Sequence, residues 1–232
     1  MSKIIFYPKS DLVKEVIPSP KPITVPDWFK KMPVTKNEEP FNVSNGEKNH
    51  TAKLCLPFLD SLTMGYSFNL WCDIQVKIDP FTNAQVVTWL DTNQELSPVI
   101  FKEETSVPTI DGYNNFDFSW MSHWGVKTPK GYSAVFTHPY NRFDLPFITS
   151  TGVMDTDRWG IWGPQPFALK KGWEGVIPAG TPVIQFYPVK RDSWKSEIDE
   201  SLTKWGNMEN IRRSSKFRGY YKNHYWERKT YS

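Results

Sequence analysis

Prolines and aromatic residues are unusually frequent in this chain, and together they restrict the folds that it can adopt. The 232 residues include 19 Pro, 11 Trp, 10 Tyr and 15 Phe. A proline inside a helix removes a hydrogen bond and clashes with the preceding turn, whereas turns and sheet edges tolerate it. Few long helical patterns fit between the prolines. We therefore expect a mainly β fold with long, ordered connections.

The overall composition predicts a globular, soluble protein. Hydrophobic residues make up 39% of the chain and charged residues 23%, which is typical of a packed core and not of disorder. No stretch approaches the roughly 20 apolar residues of a membrane span, and the N-terminus lacks a signal-peptide pattern. We expect a cytoplasmic protein without a membrane partner. Cys55 and Cys72 are too few for a disulfide framework, so we expect free, buried thiols.

The sequence divides into three parts. Residues 1–53 combine proline-rich extended stretches with a polar loop, and they read as an arm laid over a core or over a neighbouring subunit. Residues 54–191 carry the strand patterns and form the predicted core. Residues 192–232 read as a helical, basic and aromatic extension.

Short strands separated by turn signals recur through the predicted core. Polar and apolar residues alternate most clearly within residues 66–79, which predicts a strand. Pro80–Asn83 should form the turn that connects it to a second strand at 84–90, giving a hairpin. A second hairpin is expected around 128–131. Four more strands follow, at 147–154, 159–163, 166–170 and 182–189. This spacing favours a sandwich or a barrel.

The C-terminal extension has a helical period and a marked positive charge. Its large apolar residues recur on one helix face, with Asp192 or Ser193 as the cap: Trp194, Ile198, Leu202 and Trp205. The net charge of the chain is +3. From Lys204 to Lys229 there are eight basic and two acidic residues, net +6, which leaves −3 for the rest. Such a tail can bind nucleic acid, but we favour a solvated helix or an arm docked on an acidic partner surface.

Two acids at the end of an apolar strand form the most site-like feature. Asp155 and Asp157 are two residues apart, so on a strand they project to the same face at about 7 Å. Such a pair can hold a Mg²⁺ ion, or one acid can act as a general base beside the other. Arg142 and Arg191 are among the cations that could face a phosphate. Residue types alone favour a plainer interpretation, in which the acids bond backbone amides of a turn.

The neighbouring residues carry a resemblance to a known family. Gly152-Val153-Met154-Asp155-Thr156-Asp157 is followed by Gly160, and then by Gly180 and Gln185. With Met64-Gly65-Tyr66, this pattern resembles the deoxyuridine triphosphatase and deoxycytidine triphosphate deaminase superfamily over residues 60–190. The resemblance implies a dUTPase-like β-barrel or sandwich, a homotrimer and a nucleotide ligand. The whole chain also resembles a family of proteins from tailed phages and bacteria, which implies no particular activity.

The resemblance assigns roles to individual residues. It implies that Asp155 activates water against a nucleotide α-phosphate, with Mg²⁺ held near Asp157. Gln185 and Arg142 would hold the phosphate chain, and the backbone of Gly152 and Val153 would face the base. Other family residues have no counterpart: Ser67-Phe68-Asn69 stands where an acid is expected, and Arg158 replaces the tyrosine that packs on deoxyribose.

Three hypotheses on function follow. The first is a nucleotide-binding or nucleotide-hydrolysing protein that acts through Asp155. The second is a non-catalytic structural or assembly protein of a phage, which uses its terminal arms for oligomer or partner contacts. The third is a nucleic-acid-contacting accessory protein. His123 and His138 could join Asp155 at a metal site, but we favour core or edge positions for them. The tryptophans could stack on bases or sugars, but we favour core and subunit contacts.

Overall fold

The protein is described here by a computed structural model, in which the placed residues are 3–35, 50–89, 94–101, 106–160, 163–215 and 220–232. The chain forms two compact units. The first comprises Met1–Pro26, Ser61–Arg191 and Tyr231–Ser232, and the second comprises Asp27–Asp60 and Asp192–Thr230. The N-terminal 53 residues therefore contribute to both units.

All the strands of the described residues lie in the first unit. They are β1 (Ile5–Pro8), β2 (Lys21–Pro22), β3 (Tyr66–Asn69), β4 (Ile74–Ile78), β5 (Gln85–Trp89), β6 (Val99–Phe101), β7 (Phe118–Met121), β8 (Trp124–Lys127), β9 (Tyr132–Thr137), β10 (Phe147–Thr149), β11 (Gly152–Met154), β12 (Pro164–Leu169), β13 (Gly175–Ile177) and β14 (Pro182–Lys190).

The helices are short, as the spacing of the prolines predicts. They are α1 (Asp11–Val16), α2 (Asp27–Lys31), α3 (Leu56–Leu62), α4 (Leu202–Ser215) and α5 (Tyr220–His224), with 3-10 turns at Ala52–Leu54 and Gln94–Leu96. None of the helices in the placed residues is long and apolar enough to cross a membrane.

The described strands form four open antiparallel sheets. Their strand orders are β1-β8, β10-β12-β7-β6, β11-β9-β14-β3-β2 and β13-β4-β5. The expectation of a mainly β protein is confirmed. The barrel is not observed, because no sheet of the described strands closes on itself.

The hairpin predicted between 66–79 and 84–90 forms over its part nearest the turn, Ile74–Trp89. Its strands β4 and β5 pair from Ile74 with Trp89 to Ile78 with Gln85. The Asp79 carboxylate fixes the turn, since its Oδ1 accepts hydrogen bonds from the backbone N–H groups of Phe81 and Thr82 at 3.0 and 2.8 Å. A short acceptor at the first turn position is the usual device for such a bend.

Other strand predictions are wrong in their pairing or extent. The single strand over 66–79 is two strands in different sheets, because the chain bends at Leu70, which bonds the backbone of Gly180 and Thr181. The hairpin around 128–131 does not form: β9 pairs with β11 and β14, and β8 pairs with β1. At 159–163, the described residues 159, 160 and 163 are not in a strand.

The main core lies in the first unit and is built from aromatic rings. The Trp120 ring stacks on Phe167 with 3.6 Å between ring centroids, and both side chains are buried together with Phe147 and Phe186. The buried Trp120 Nε1–H donates to Thr149 Oγ1 at 3.1 Å. Part of the high aromatic content therefore fills the core of the first unit.

The helix predicted from Asp192 begins ten residues later. Residues 192–199 have no regular structure, and α4 starts at Leu202. The apolar residues that should have anchored the first turns are exposed, so nothing in the described residues stabilises them as a helix. Cys55 and Cys72 do not form a disulfide, as expected, but the expected burial is wrong, because Cys55 is exposed and Cys72 is half-buried.

Candidate functional site

Asp155 and Asp157 lie where three segments of the five-stranded sheet meet. They follow β11, which pairs with β9, and β9 pairs on its other side with β14. The turn before β9 contributes Gly131, and Arg191 follows the last residue of β14. The three charged side chains of this meeting point, Asp155, Asp157 and Arg191, are called the Asp–Arg cluster below.

One guanidinium serves both carboxylates of the Asp–Arg cluster. Arg191 Nη1 lies 3.1 Å from Asp155 Oδ1, and Nη2 bonds Asp157 Oδ2. Asp157 also accepts the Gly131 N–H at 2.8 Å, and Asp155 accepts the Ser133 hydroxyl at 2.6 Å. The cluster therefore ties the exit of β11, the start of β9 and the end of β14 together.

The two acids of the cluster differ in environment. The Asp155 side chain is 48% exposed, whereas that of Asp157 is 4% exposed. The hydrogen bond from Arg191 is the main cause that lowers the pKa of Asp157 to about 2, helped by the Gly131 N–H. The same bond raises the pKa of Arg191. Asp157 is thus an ionised structural group near pH 7, and Asp155 is the acid that faces solvent.

The donor set of the cluster does not fit a resident Mg²⁺ ion. The guanidinium of Arg191 already places a positive charge between the carboxylates, so a cation there would face direct repulsion. In the described residues, no group of three or more His, Cys, Asp and Glu side chains is arranged to hold a metal. Both hydrogen bonds of Asp157 end on its Oδ2, whereas its buried Oδ1 has no hydrogen-bond partner among the described residues.

Gln185 lies on β14, and its side chain connects this strand to two other backbone segments of the first unit. It is 1% exposed. Its Oε1 accepts the Tyr140 N–H at 2.7 Å, and its Nε2 donates to the carbonyls of Ser61 and Met64 at 3.0 and 2.7 Å. Both polar ends of the amide are engaged in the protein itself. Nothing of this side chain faces solvent where a phosphate could approach.

The backbone around Gln185 is packed so closely that it requires a glycine. Gly65 has φ +78°, and a Cβ at this position would lie 2.1 Å from the carbonyl oxygen of Phe186. The neighbouring turn is held by Asn141, whose amide donates to Ser61 Oγ at 2.7 Å. Met64-Gly65-Tyr66 and Gln185, which both belong to the sequence resemblance, therefore lie together at one closely packed backbone contact.

The remaining predicted site residues do not converge on Asp155. Arg142 makes a bidentate ion pair with Asp144, at 2.8 and 2.9 Å. Gly152 and Val153 lie in the edge strand β11, where the Val153 side chain is exposed. Asp155 contacts β9 at Ser133, whereas Gln185 pairs with Thr137. Four residues of a strand separate these contacts by roughly 14 Å.

His123 and His138, the two histidines considered as metal ligands, bond the backbone inside the first unit. His123 Nε2 donates to the Ser97 carbonyl at 2.9 Å. His138 Nε2 donates to the Arg142 carbonyl at 3.3 Å, and its Nδ1 accepts the Thr149 N–H at 3.3 Å. Burial lowers the pKa of both imidazoles, so they are neutral near pH 7 and brace the backbone.

A series of exposed apolar side chains lies in the second unit. Six large ones fall within eighteen residues: Trp194, Ile198, Leu202, Trp205, Met208 and Ile211. Trp194 and Ile198 are 90% and 92% exposed. These six residues are called the apolar stretch below. They are the residues of the predicted helix face, and only the structure shows that they are exposed; exposed apolar patches are typical of interaction sites.

Comparisons with known proteins add no assignment. No protein-family model matches the chain, and no curated protein sequence matches it.

Proposed function

We propose that the protein is a non-catalytic assembly protein that forms homo-oligomers through the apolar stretch. The observation that carries this proposal is the exposure of six large apolar side chains in residues 194–211. In the second unit, Tyr225 bonds Glu209, and Trp226 and Lys229 bond Asp60. The apolar stretch is left to solvent in a single copy.

Burial of the stretch is a driving force for association. Burying Trp194, Ile198 and Trp205 fully is worth about 1.5–3 kcal/mol for each side chain. Two copies would bury six such side chains, or about 9–18 kcal/mol before costs. Loss of translational and rotational freedom costs about 4–15 kcal/mol, and ordering each interface side chain costs about 0.5–1.5 kcal/mol more. Association is therefore favourable when burial lies in the upper part of its range or the costs lie in the lower part of theirs.

The occupied polar groups of the first unit also support a non-catalytic role. Gln185 and Arg142 are engaged within the chain, and Asp157 is paired with Arg191. A positioned base accelerates a reaction by about 10²–10⁴-fold only when the rest of the site is present. Of the predicted phosphate-facing cations, Arg191 lies beside Asp155, but its guanidinium is already paired with Asp155 and Asp157.

Sedimentation of the purified full chain tests the assembly proposal. Replacement of Trp194, Ile198 and Trp205 by Ser should shift an oligomeric chain to the 27.0 kDa monomer. Phe81→Ser is the matched control, since Phe81 is 95% exposed in the first unit and outside the stretch. An unchanged mass in the triple variant would refute the proposed contact.

The half-exposed carboxylate of Asp155 supports a second candidate, which is binding or hydrolysis of a nucleoside triphosphate supplied with Mg²⁺. Asp155 differs from Asp157 in facing solvent, and it lies beside the exposed edge strand β11. On this candidate, Asp155 is the base and the backbone of Gly152 and Val153 faces the ligand.

A panel of nucleoside triphosphates with Mg²⁺ tests this second candidate. It requires a rise in the thermal unfolding midpoint or release of pyrophosphate, and loss of that response in Asp155→Asn. The Asp155→Asn variant should fold, because its side chain is half exposed and Asp157 keeps the guanidinium bond. No thermal shift and no pyrophosphate from any nucleotide would eliminate the candidate.

A further inference from the structure

A small cavity of the first unit has two buried ring nitrogens in its wall. The cavity has a volume of about 20 Å³, and Trp71 and His123 both line it. Trp71 follows the bend after β3, and His123 lies in the turn between β7 and β8. Trp71 Nε1 and His123 Nδ1 are buried, and neither atom has a hydrogen-bond partner among the described residues. Buried polar groups are almost always hydrogen-bonded, so these two atoms point to a bonding group from outside the chain.

The other two indoles of the cavity wall are paired within the chain. Trp120 Nε1–H donates to Thr149 Oγ1 at 3.1 Å, and Trp124 Nε1–H donates to the Ile17 carbonyl at 3.0 Å. A buried indole in this part of the fold therefore normally has a partner. The two nitrogens without one line the same cavity.

The two nitrogens require opposite kinds of partner. The Trp71 indole N–H can only donate a hydrogen bond. His123 Nε2 lies 2.9 Å from the Ser97 carbonyl, which can only accept, so Nε2 carries the proton and Nδ1 is an acceptor. Burial lowers the pKa of His123, which keeps the ring neutral near pH 7. A carboxylate cannot donate to Nδ1 and an ammonium cannot accept from the indole, whereas a hydroxyl does both with one oxygen.

The size of the cavity also fits one hydroxyl group. Roughly 10–15 Å³ is enough for one water-sized group, whereas benzene binds in a cavity of roughly 150 Å³. The 20 Å³ of this cavity therefore accommodate one oxygen and no ring. Among the described residues, no Asp, Glu, Lys or Arg lines it. Pro18 and Asn69 belong to the wall and are exposed, which leaves room outside the cavity for a short carbon chain on that oxygen.

We propose that this cavity is a binding site for one hydroxyl group, which accepts a hydrogen bond from Trp71 Nε1–H and donates one to His123 Nδ1. The hydroxyl belongs to a water molecule or to a small alcohol, which share this chemistry. It connects the bend after β3 to the turn between β7 and β8 and satisfies two buried groups at once. The site lies in the first unit and includes no residue of the apolar stretch, so it does not depend on the assembly function.

Nuclear magnetic resonance of the unmodified full chain at pH 7 tests the site. The Trp71 indole N–H should show a cross-relaxation peak with water, because a hydroxyl held in the cavity lies next to this proton. Trp124 is the control, since it lines the same cavity but its N–H donates to the Ile17 carbonyl. We expect a clearly stronger water peak at Trp71 than at Trp124. Equal water peaks at the two indoles, or none at Trp71, would overturn the proposal.

Ethanol added in excess distinguishes the two sources of the hydroxyl. Replacement of the water peak at Trp71 by peaks from the ethanol methylene protons supports an alcohol site. A water peak that ethanol leaves unchanged supports a buried water. Acetonitrile is the matched control, because it is of similar size and accepts a hydrogen bond but cannot donate one. If acetonitrile displaced the water as readily as ethanol, donation to His123 would be unnecessary and the proposal would be wrong.

The ¹⁵N resonance of His123 Nδ1 tests the acceptor separately. An unprotonated imidazole nitrogen that accepts a hydrogen bond resonates upfield of one that accepts none. His138 is the reference in the same chain, since its Nδ1 accepts the Thr149 N–H at 3.3 Å. We expect the two Nδ1 nitrogens to show similar upfield shifts. A His123 Nδ1 at the position of an unbonded nitrogen would overturn the proposal, and no variant that could fail to fold is needed.

Discussion

Replacement of Gln185 by Leu should destabilise the first unit strongly, because this amide joins three backbone segments. The side chain is 1% exposed and makes three hydrogen bonds, one accepted from the Tyr140 N–H and two donated to the carbonyls of Ser61 and Met64. Leucine is similar in size but leaves these three groups without this partner. The expected loss is therefore electrostatic and not a cavity effect.

The magnitude follows from the number of backbone groups affected. Leaving a buried donor or acceptor unsatisfied costs about 1–3 kcal/mol. Three such groups give about 3–9 kcal/mol, out of a total stability of about 5–15 kcal/mol for a typical domain. Gln185→Glu should also destabilise at pH 7, because a carboxylate oxygen would face the two carbonyls. That penalty should shrink as the pH falls and the carboxyl becomes protonated, since protonation restores one donor.

Urea unfolding of the full chain measures this loss as a change in the free energy of unfolding. Gln165→Leu is the matched control, since Gln165 is only half-buried and donates to one residue, Ser150. We expect about 1 kcal/mol for the control and at least about 3 kcal/mol for Gln185→Leu. Equal effects at the two glutamines would refute the structural role argued for Gln185.

Three further changes have expected outcomes that follow from single contacts. Gly65→Ala should lower the free energy of unfolding in urea by more than about 2 kcal/mol, because φ is +78° and the new Cβ would lie 2.1 Å from the Phe186 carbonyl oxygen. Gly131→Ala is the control: its φ is +86° but the space around it is open, so it should lose only about 1–2 kcal/mol. The pKa of Asp157 is lowered from 3.8 to about 2, so its contribution to stability is complete above about pH 4 and lost between pH 4 and pH 2. Between pH 4 and pH 2, the thermal midpoint of an Asp157→Asn variant should fall less steeply than that of the unmodified chain. An equally steep fall in both would contradict this assignment. Gly206→Ala should stabilise α4 by about 0.5–1 kcal/mol, visible as slower amide exchange, because its Cβ would meet no atom within 4 Å; faster exchange would contradict the open geometry.

The sequence predicts local features of this fold better than its pairings. The alternation in Ile74–Ile78 and the turn at Asp79 are local, and the hairpin formed as expected. The partner of β8 depends instead on the chain terminus, because β8 pairs with β1. Gly125 permits this contact, since a Cβ there would lie 2.2 Å from the Tyr7 ring. No local pattern shows such an approach.

The candidate site shows the same division. Two acids spaced by one residue were visible in the sequence, and the structure places both against Arg191. The sequence could name Arg191 as a cation, but it could not show that Arg191 faces the acids and not a ligand. The sequence also could not show that Gln185 is buried. Its type and position suit any polar residue on a strand, and only the structure shows its three backbone hydrogen-bond partners.

The apolar stretch was predicted as a helix from its period, and the structure shows that the period alone does not fold residues 192–199. A helical period of apolar residues predicts the helix that a segment can form when its apolar face is buried. In one copy, the described residues leave that face exposed. The disagreement between period and structure is the physical basis of the proposed association.

The mass of the unmodified full chain in solution tests the central claim most directly. Sedimentation equilibrium over a hundredfold range of concentration should show association well above the 27.0 kDa of one copy, weakened by Ser at positions 194, 198 and 205 and unaffected by Phe81→Ser. A mass of 27.0 kDa for the unmodified chain at every concentration would contradict the claim.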